Sequence, residues 1–218
     1  DRYGKRLHVT RTDYTGRRLA WLKVEDVSPA LIDVIVLAED KRFWSHGGID
    51  GWAMLNSIIT AFLEFKRPHG ASTITMQLAG LLDPELRARR SRRSVFQKLI
   101  QVATAWSLER GWQKREILEA YLNLVTFRGE LQGVQAASRA LFDKWPSGLQ
   151  NVEAALLSGL VRAPNASPLK AGERACQILV RTGNTNACSE VRSLAKFALR
   201  PPYQIRHIAR DAPHVARY

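Results

Sequence analysis

The sequence is poor in cysteine and has no long apolar run. Cys176 and Cys188 are the only cysteines among 218 residues, too few for a disulfide-rich scaffold and without the four-ligand spacing of a zinc site. They either form a disulfide, which would imply an oxidising compartment, or remain buried free thiols; the disulfide is favoured. No signal peptide or run of about 20 apolar residues is evident. We therefore expect a soluble protein or a fragment that lacks its membrane anchor.

Acidic residues are scarce relative to basic ones. Asp and Glu total 20 against 33 Lys and Arg, which gives a formal net charge of +13. The surface should therefore attract an anionic partner such as nucleic acid, lipid headgroups or a phosphorylated substrate. Apolar residues make up 45% of the chain, and Gly and Pro occur at ordinary frequency, which excludes disordered, collagen-like and fibrous proteins.

Apolar residues recur at helical spacing through most of the chain. Ser28-Pro29 predicts a helix start, and the helix is expected to end near Glu39-Asp40. Further helices are predicted over 51–65, 73–82, 91–110, 113–124, 131–142, 151–162, 171–182 and 188–199. Residues 6–10 and 19–24 are β-like and flank a turn. The sequence thus predicts a mainly α fold with a short β-like segment at 1–28 and a proline-containing linker at 201–218.

Two acids follow the first predicted helix. Glu39 and Asp40 precede His46 by a few residues, and a Gly-Gly turn comes next. A half-buried carboxylate at this position would suit general-base catalysis. The alternative is an exposed acidic cap, although acids at a helix C-terminus oppose the helix dipole.

Two further polar clusters could hold anions. Ser72 and Thr73 stand at a predicted helix start, where free backbone N–H groups bind anions; in the simpler alternative, Ser72 only caps the helix. The basic run 89–93 precedes a helix that carries Lys98 and Gln101 on one side. This run either is a solvated face or binds phosphate.

Five short sequence motifs follow one another along the chain. They are Glu39-Asp40-x-x-Phe43-x-x-His46-x-Gly48, Gly70-x-Ser72-Thr73-Ile74-Thr75-x-Gln77, Arg93-x-x-x-x-Lys98, Ile117-Leu118-Glu119-x-Tyr121-Leu122-Asn123, and Ala154 to Pro164. In order and separation they resemble the motifs of the peptidoglycan glycosyltransferases, glycosyltransferase family 51, over about residues 4–200. Residues 81–84 and 212–218 resemble the penicillin-binding protein one-C branch of the class A penicillin-binding proteins.

The resemblance implies a lysozyme-like glycosyltransferase fold with a large head lobe and a small membrane-associated jaw lobe. The glycosyltransferase domain would span 29–200, with the jaw at about 51–69 and 80–95. The linker at 201–218 would lead toward a transpeptidase domain that is absent from this chain. The residues expected to contact the membrane, in a segment too short to span it, are Trp52, Ile58, Ile59 and Phe62. A buried core helix is the alternative for this segment.

The resemblance also implies polymerisation of lipid II, a disaccharide-pentapeptide carried on undecaprenyl pyrophosphate, into β-1,4-linked glycan with inversion at the anomeric carbon. Glu39 would be the general base, with Asp40 and His46 orienting it or its loop. A pyrophosphate leaves as an anion, so it needs cations and hydrogen-bond donors rather than a second acid. The residues expected around it are Ser72, Thr73, Gln77, Arg93, Lys98 and Gln101.

By the same resemblance no cofactor is required and no resident metal is predicted. A divalent cation, Mg or Mn, would bind only at the diphosphate of the substrate. The expected partners are lipid II, the nascent glycan chain, the membrane surface and other cell-wall synthesis proteins, with no nucleic acid. The expected location is the periplasmic, outer face of a bacterial inner membrane.

Two departures from the family pattern leave alternatives open. Gln101 replaces a glutamate, and Gly80 stands where many members have a cation. A catalytically weak cell-wall scaffold is therefore one alternative. A lytic transglycosylase or muramidase, which would cleave glycan, is another. A nucleic-acid-binding protein is suggested by charge alone, but the sequence has no recognisable recognition motif.

Overall fold

The computed structural model describes residues 16–63, 72–83, 95–203 and 205. Within these ranges the chain forms nine α-helices and one antiparallel β-hairpin, so the mainly helical prediction is confirmed. The helices are α1 (Pro29–Glu39), α2 (Gly51–Leu63), α3 (Ile74–Leu82), α4 (Val95–Gly111), α5 (Lys114–Leu124), α6 (Val134–Phe142), α7 (Asn151–Val161), α8 (Pro168–Arg181) and α9 (Cys188–Ala198). The strands are β1 (Thr126–Arg128) and β2 (Leu131–Gln132).

Helix α7 lies at the centre of the fold. Its residues 153–160 are all buried, as expected for a helix surrounded by other elements. Helix α1 packs on it, and so do α8, α9 and β1. The carboxyl ends of α1 and α7 meet at Glu39 and Arg162, whose side chains are hydrogen-bonded. This contact sets the position of the candidate site.

The described part of the N-terminal segment, residues 16–28, differs from the prediction. The strand expected over 19–24 is wrong: this stretch is irregular and leads into a short 3-10 helix at Val24–Asp26. Side chains of α5 replace the strand partner, because Asn123 bonds both the N–H and the carbonyl of Leu22, at 2.9 and 2.8 Å. A single bridge joins Arg17 to Leu131. Residues 6–10 lie outside the described residues.

The hairpin replaces the start of a predicted helix. The helix expected from 131 begins at Val134, because Leu131–Gln132 pairs with β1. Gly133 follows with φ 82°, and a Cβ there would lie 2.7 Å from the backbone oxygen of Asn123. A glycine at this position lets the chain pass α5 closely and turn into α6.

Helices α8 and α9 cover α7 and are joined covalently. Cys176 of α8 and Cys188, the first residue of α9, form the disulfide that the sequence favoured. The bond closes a loop across the short 3-10 helix at Thr185–Ala187. It holds together two of the helices that pack against α7.

Candidate active site

Glu39, the last residue of α1, is buried and hydrogen-bonded on both carboxylate oxygens. It is 8% exposed. Gln77 Nε2 donates to Oε2 at 3.0 Å, and Arg162 Nε donates to Oε1 at 2.9 Å. Arg162 also donates to the Ala38 carbonyl at 2.7 Å. An acid at a helix C-terminus is normally unfavourable, and the Arg162 guanidinium offsets this by neutralising both the carboxylate and the helix end.

Tyr121 fixes the orientation of the Gln77 amide. Its hydroxyl donates to Gln77 Oε1 at 3.0 Å, and its side chain is fully buried. Burial raises the pKa of Tyr121 well above its usual range, and the charge of Glu39 raises it further. The hydroxyl therefore stays protonated and can donate to Gln77 Oε1, while the carboxylate of Glu39, which only accepts, takes the Gln77 NH₂ group.

Asp40 and His46 join the first two sequence motifs. Asp40 is buried, and its carboxylate accepts a hydrogen bond from the Ile74 N–H, at the first turn of α3, at 3.0 Å. His46 Nε2 lies 2.9 Å from the other Asp40 oxygen. A carboxylate at a helix N-terminus is favourable, so this pair ties the loop after α1 to α3. The contact suits the loop-orienting role expected for both residues.

Thr73, and not Ser72, caps α3. The Thr73 hydroxyl accepts from the Met76 N–H at 3.1 Å and donates to the Gly48 carbonyl at 2.6 Å. The alternative in which Ser72 is the cap is therefore wrong. Gly48 has φ 88°, and a Cβ there would lie 3.0 Å from the Ala105 backbone oxygen. Only a glycine lets this loop cross α4 so closely.

Arg42 and Asp50 form an ion pair beside the same loop. Arg42 Nε donates to Asp50 Oδ2 at 2.8 Å, and the guanidinium bonds the second carboxylate oxygen as well. The Ala53 N–H donates to Asp50 at 2.8 Å, so Asp50 also caps α2. These hydrogen bonds, chiefly that from Arg42, lower the pKa of Asp50. The pair thus holds the start of α2 against the loop.

A cavity of about 420 Å³ opens in front of Glu39. Its wall combines carboxylates, cations and hydroxyls: Glu39, Asp40, Asp50, Lys41, Arg42, Arg162, Ser72, Thr73, Asn56, Trp52, Ala53, Leu37 and Ala38. Three buried carboxylates therefore face the same space as three cationic side chains. Such a site can accept a proton at one point and stabilise a departing anion at another.

The other predicted site residues have mixed positions. Gln101 is 1% exposed and donates to the Met76 carbonyl, so it joins α4 to α3 rather than facing the cavity, and its predicted substrate contact is corrected. Lys98 lies exposed on α4, three residues earlier. Trp52 lines the cavity and is 65% exposed. Arg93 and the side chains of Ile58, Ile59 and Phe62 lie outside the described residues.

Sequence reasoning assigned no role to several residues that build the site. Arg162 and Tyr121 stand inside the quoted motifs, and Arg42 follows Glu39 by three positions. One signal was present: Arg162 is a lone cation directly after an apolar helix. Its partner, Glu39, lies 123 positions earlier.

Comparisons with known proteins identify the family of the chain. The sequence model of the family described as Transglycosylase matches residues 5–182. The chain is 38% identical over 142 residues to "Penicillin-binding protein 1C" of Escherichia coli (strain K12). This match covers 65% of this chain and 18% of that protein. It is 35% identical over 161 residues to "Biosynthetic peptidoglycan transglycosylase" of Mannheimia succiniciproducens, covering 73% of this chain and 64% of that protein. The chain thus spans less than two thirds of each of these relatives.

Proposed function

The chain belongs to the transglycosylase family, and on that premise we propose that it polymerises lipid II into β-1,4-linked glycan during bacterial cell-wall synthesis. The observation that carries this proposal is the buried Glu39 carboxylate on the wall of a cation-lined cavity. In the proposed step, the 4-hydroxyl of one sugar attacks the anomeric carbon of another with inversion. The hydroxyl proton passes to Glu39, and the bond to the lipid pyrophosphate breaks.

The hydrogen bonds to Glu39 prepare it for this step. Gln77 and Arg162 both donate to the carboxylate and hold it in place on the cavity wall. The departing diphosphate would be stabilised by Lys41, Arg42 and the hydroxyl of Ser72, which line the same cavity. Lys98, which is exposed on α4, and Arg93 are proposed as further contacts of the diphosphate.

A divalent cation would have to come with the substrate. The cavity carboxylates are already engaged: Glu39 by Gln77 and Arg162, Asp40 by His46, and Asp50 by Arg42. A Mg or Mn ion would therefore be held by the phosphate oxygens of the diphosphate, where it would neutralise charge.

Exposed apolar side chains support contact with the membrane that carries lipid II. Trp52 and Leu55 of α2 are exposed, and so are Phe96 and Leu99 at the start of α4. Among the described residues, no helix has the length and apolarity needed to cross a bilayer. We propose that these side chains lie in the interface, at the outer face of the inner membrane, where the chain would meet nascent glycan and other cell-wall synthesis proteins.

The direct experiment supplies the chain with two substrates in separate reactions. With lipid II in detergent or vesicles, we expect elongated glycan and released undecaprenyl pyrophosphate. With polymeric peptidoglycan, we expect no soluble products. Anhydro or reducing fragments from the polymer would instead identify a lytic enzyme, and folded protein that produces neither would identify a scaffold.

A further inference from the structure

A second, smaller cavity adjoins the first at Glu39. It has a volume of about 170 Å³ and shares Ala38, Glu39 and Arg162 with the larger cavity. The rest of its wall comes from α7 and α8. Whatever occupies this cavity would therefore lie next to the reacting groups, on the side toward α8.

This cavity contains polar groups that the fold leaves unpartnered. Within the described part of the chain, Ser158 Oγ and Arg174 Nη1 are buried and have no hydrogen-bond partner. A buried donor without a hydrogen-bond partner lowers the free energy of unfolding by about 1–3 kcal/mol, so such groups call for an explanation. Both residues line the cavity, together with Gln177 and Arg181. A ligand that accepts hydrogen bonds would satisfy them.

The charge of the cavity favours an anionic ligand. Arg162, Arg174 and Arg181 line it, and Glu39 is the only acid among the lining residues described. Arg162 already donates to Glu39. Arg174 and Arg181 therefore leave an excess of positive charge that no lining carboxylate offsets. Guanidinium groups bind carboxylates and phosphates through paired hydrogen bonds, so an oxyanion is the chemical class that fits.

We propose that this second cavity binds a carboxylate of the peptide carried by lipid II, an inference that rests on the proposed function. The leaving diphosphate is bonded to the reacting carbon and belongs with Lys41 and Arg42 in the larger cavity. The same sugar that bears the diphosphate also bears the peptide. The diphosphate of the attacking lipid II lies a whole disaccharide away from its reacting hydroxyl. The peptide is therefore the anionic group that can reach a cavity adjoining Glu39.

The test compares lipid II with free peptide carboxylates and lipid II with those carboxylates amidated. For the wild-type chain, amidation should raise KM about tenfold, because charge-assisted hydrogen bonds are lost. For Arg174→Gln/Arg181→Gln, KM for the acidic substrate should rise by a similar factor, and amidation should have no further effect. Arg115→Gln serves as the control, since Arg115 is an exposed arginine of α5 outside both cavities. It should behave as wild type.

A binding measurement separates this proposal from the proposed function. Soluble N-acetylmuramoyl-pentapeptide, which has no phosphate or lipid, should bind the wild-type chain in calorimetry. Its affinity for the Arg181→Gln variant should be about tenfold lower. That exposed single substitution also covers the case in which the double variant fails to fold. If KM rises by the same factor in the arginine variants for both forms of lipid II, the bound anion is phosphate and the proposal is overturned. If the wild type makes no glycan at all, the proposed function fails and calorimetry alone decides on the cavity.

Discussion

Replacing Tyr121 with phenylalanine tests whether the buried hydrogen-bond chain prepares Glu39. The substitution removes only the hydroxyl that donates to Gln77 Oε1 at 3.0 Å. Without that donor Gln77 Oε1 loses its hydrogen bond to Tyr121, and the amide that donates to Glu39 is held less firmly. One hydrogen bond is worth about 1 kcal/mol, and this corresponds to a rate change of about fivefold. We therefore expect kcat to fall about fivefold, with KM nearly unchanged because Tyr121 is fully buried.

The assay is steady-state polymerisation of lipid II, run beside denaturant unfolding of the same variant. Tyr203→Phe is the control, because the Tyr203 hydroxyl is likewise hydrogen-bonded, accepting from Arg128 and donating to the Leu199 carbonyl, but Tyr203 does not line either cavity. At about 1 kcal/mol per hydrogen bond, Tyr121→Phe should lose about 1 kcal/mol of unfolding free energy and Tyr203→Phe about 2 kcal/mol. An unchanged kcat in Tyr121→Phe, despite this loss of stability, would refute the reasoning.

Other substitutions test the supports of the site and the fold. Asp50→Asn should lower the unfolding free energy by about 2 kcal/mol at neutral pH. Arg42 lowers the pKa of Asp50 in the folded protein. The stabilisation by the ionised Asp50 is therefore full above the unfolded carboxyl pKa of about 4 and is lost as the pH falls through the lower folded pKa. In denaturant titrations down to about pH 2, the unfolding free energies of the variant and the wild type should converge. Gly133→Ala should cost about 2 kcal/mol or more in the same assay, since φ is positive there and the added Cβ meets a backbone oxygen at 2.7 Å. Replacing Cys176 and Cys188 by serine should cost about 3 kcal/mol through the loss of loop closure, as measured in thermal unfolding.

Each of these three has its own contrary result. A constant difference between Asp50→Asn and wild type across the acid range would show that the ion pair does not carry the effect. Gly129→Ala, at another positive φ but with open space around the added Cβ, separates backbone strain from the clash at Gly133. Equal stability of the two alanine variants would contradict the clash. A serine variant that unfolds like wild type treated with reductant would support the disulfide, whereas one that unfolds like untreated wild type would contradict it.

Local signals in the sequence predicted most helices correctly. Ser28-Pro29 marks the start of α1, and the apolar spacing ends at Glu39, as in the structure. The same Ser-Pro signal at Ser167-Pro168 begins α8 three residues before the predicted start at 171. In each case the cap and the proline act within one helical turn, so neighbouring residues alone contain the information.

Features that depend on distant partners could not be predicted this way. The stretch 19–24 has strand-like composition, but its backbone is bonded by Asn123 and Glu119 of α5, about a hundred positions away. Leu131 and Gln132, which form β2 after the turn at Gly129, look like the start of an apolar helix until their pairing with β1 is known. Strand pairing and side-chain-to-backbone bonds are tertiary effects that override local preference.

The candidate site was predicted as a set of motifs rather than as a geometry. Glu39, Asp40, His46, Thr73 and Gln77 come together as the resemblance implied. The resemblance did not assign the partners that hold them, such as Arg162 and Tyr121, because nothing in the sequence indicates which buried amide or cation a carboxylate meets. Gln101 shows the opposite error, since a residue at a motif position was given a substrate contact but is buried between two helices.

The most direct test of the account is the initial rate of lipid II polymerisation by Glu39→Gln. Glutamine keeps the size of the side chain and an oxygen for Gln77 or Arg162, but it cannot accept the proton. With Glu190→Gln, an exposed acid of α9, as the matched control, and with unfolding curves showing that both variants fold, Glu39→Gln should lose at least about a hundredfold in rate. A Glu39→Gln rate within about threefold of the control would contradict a general-base role for this carboxylate.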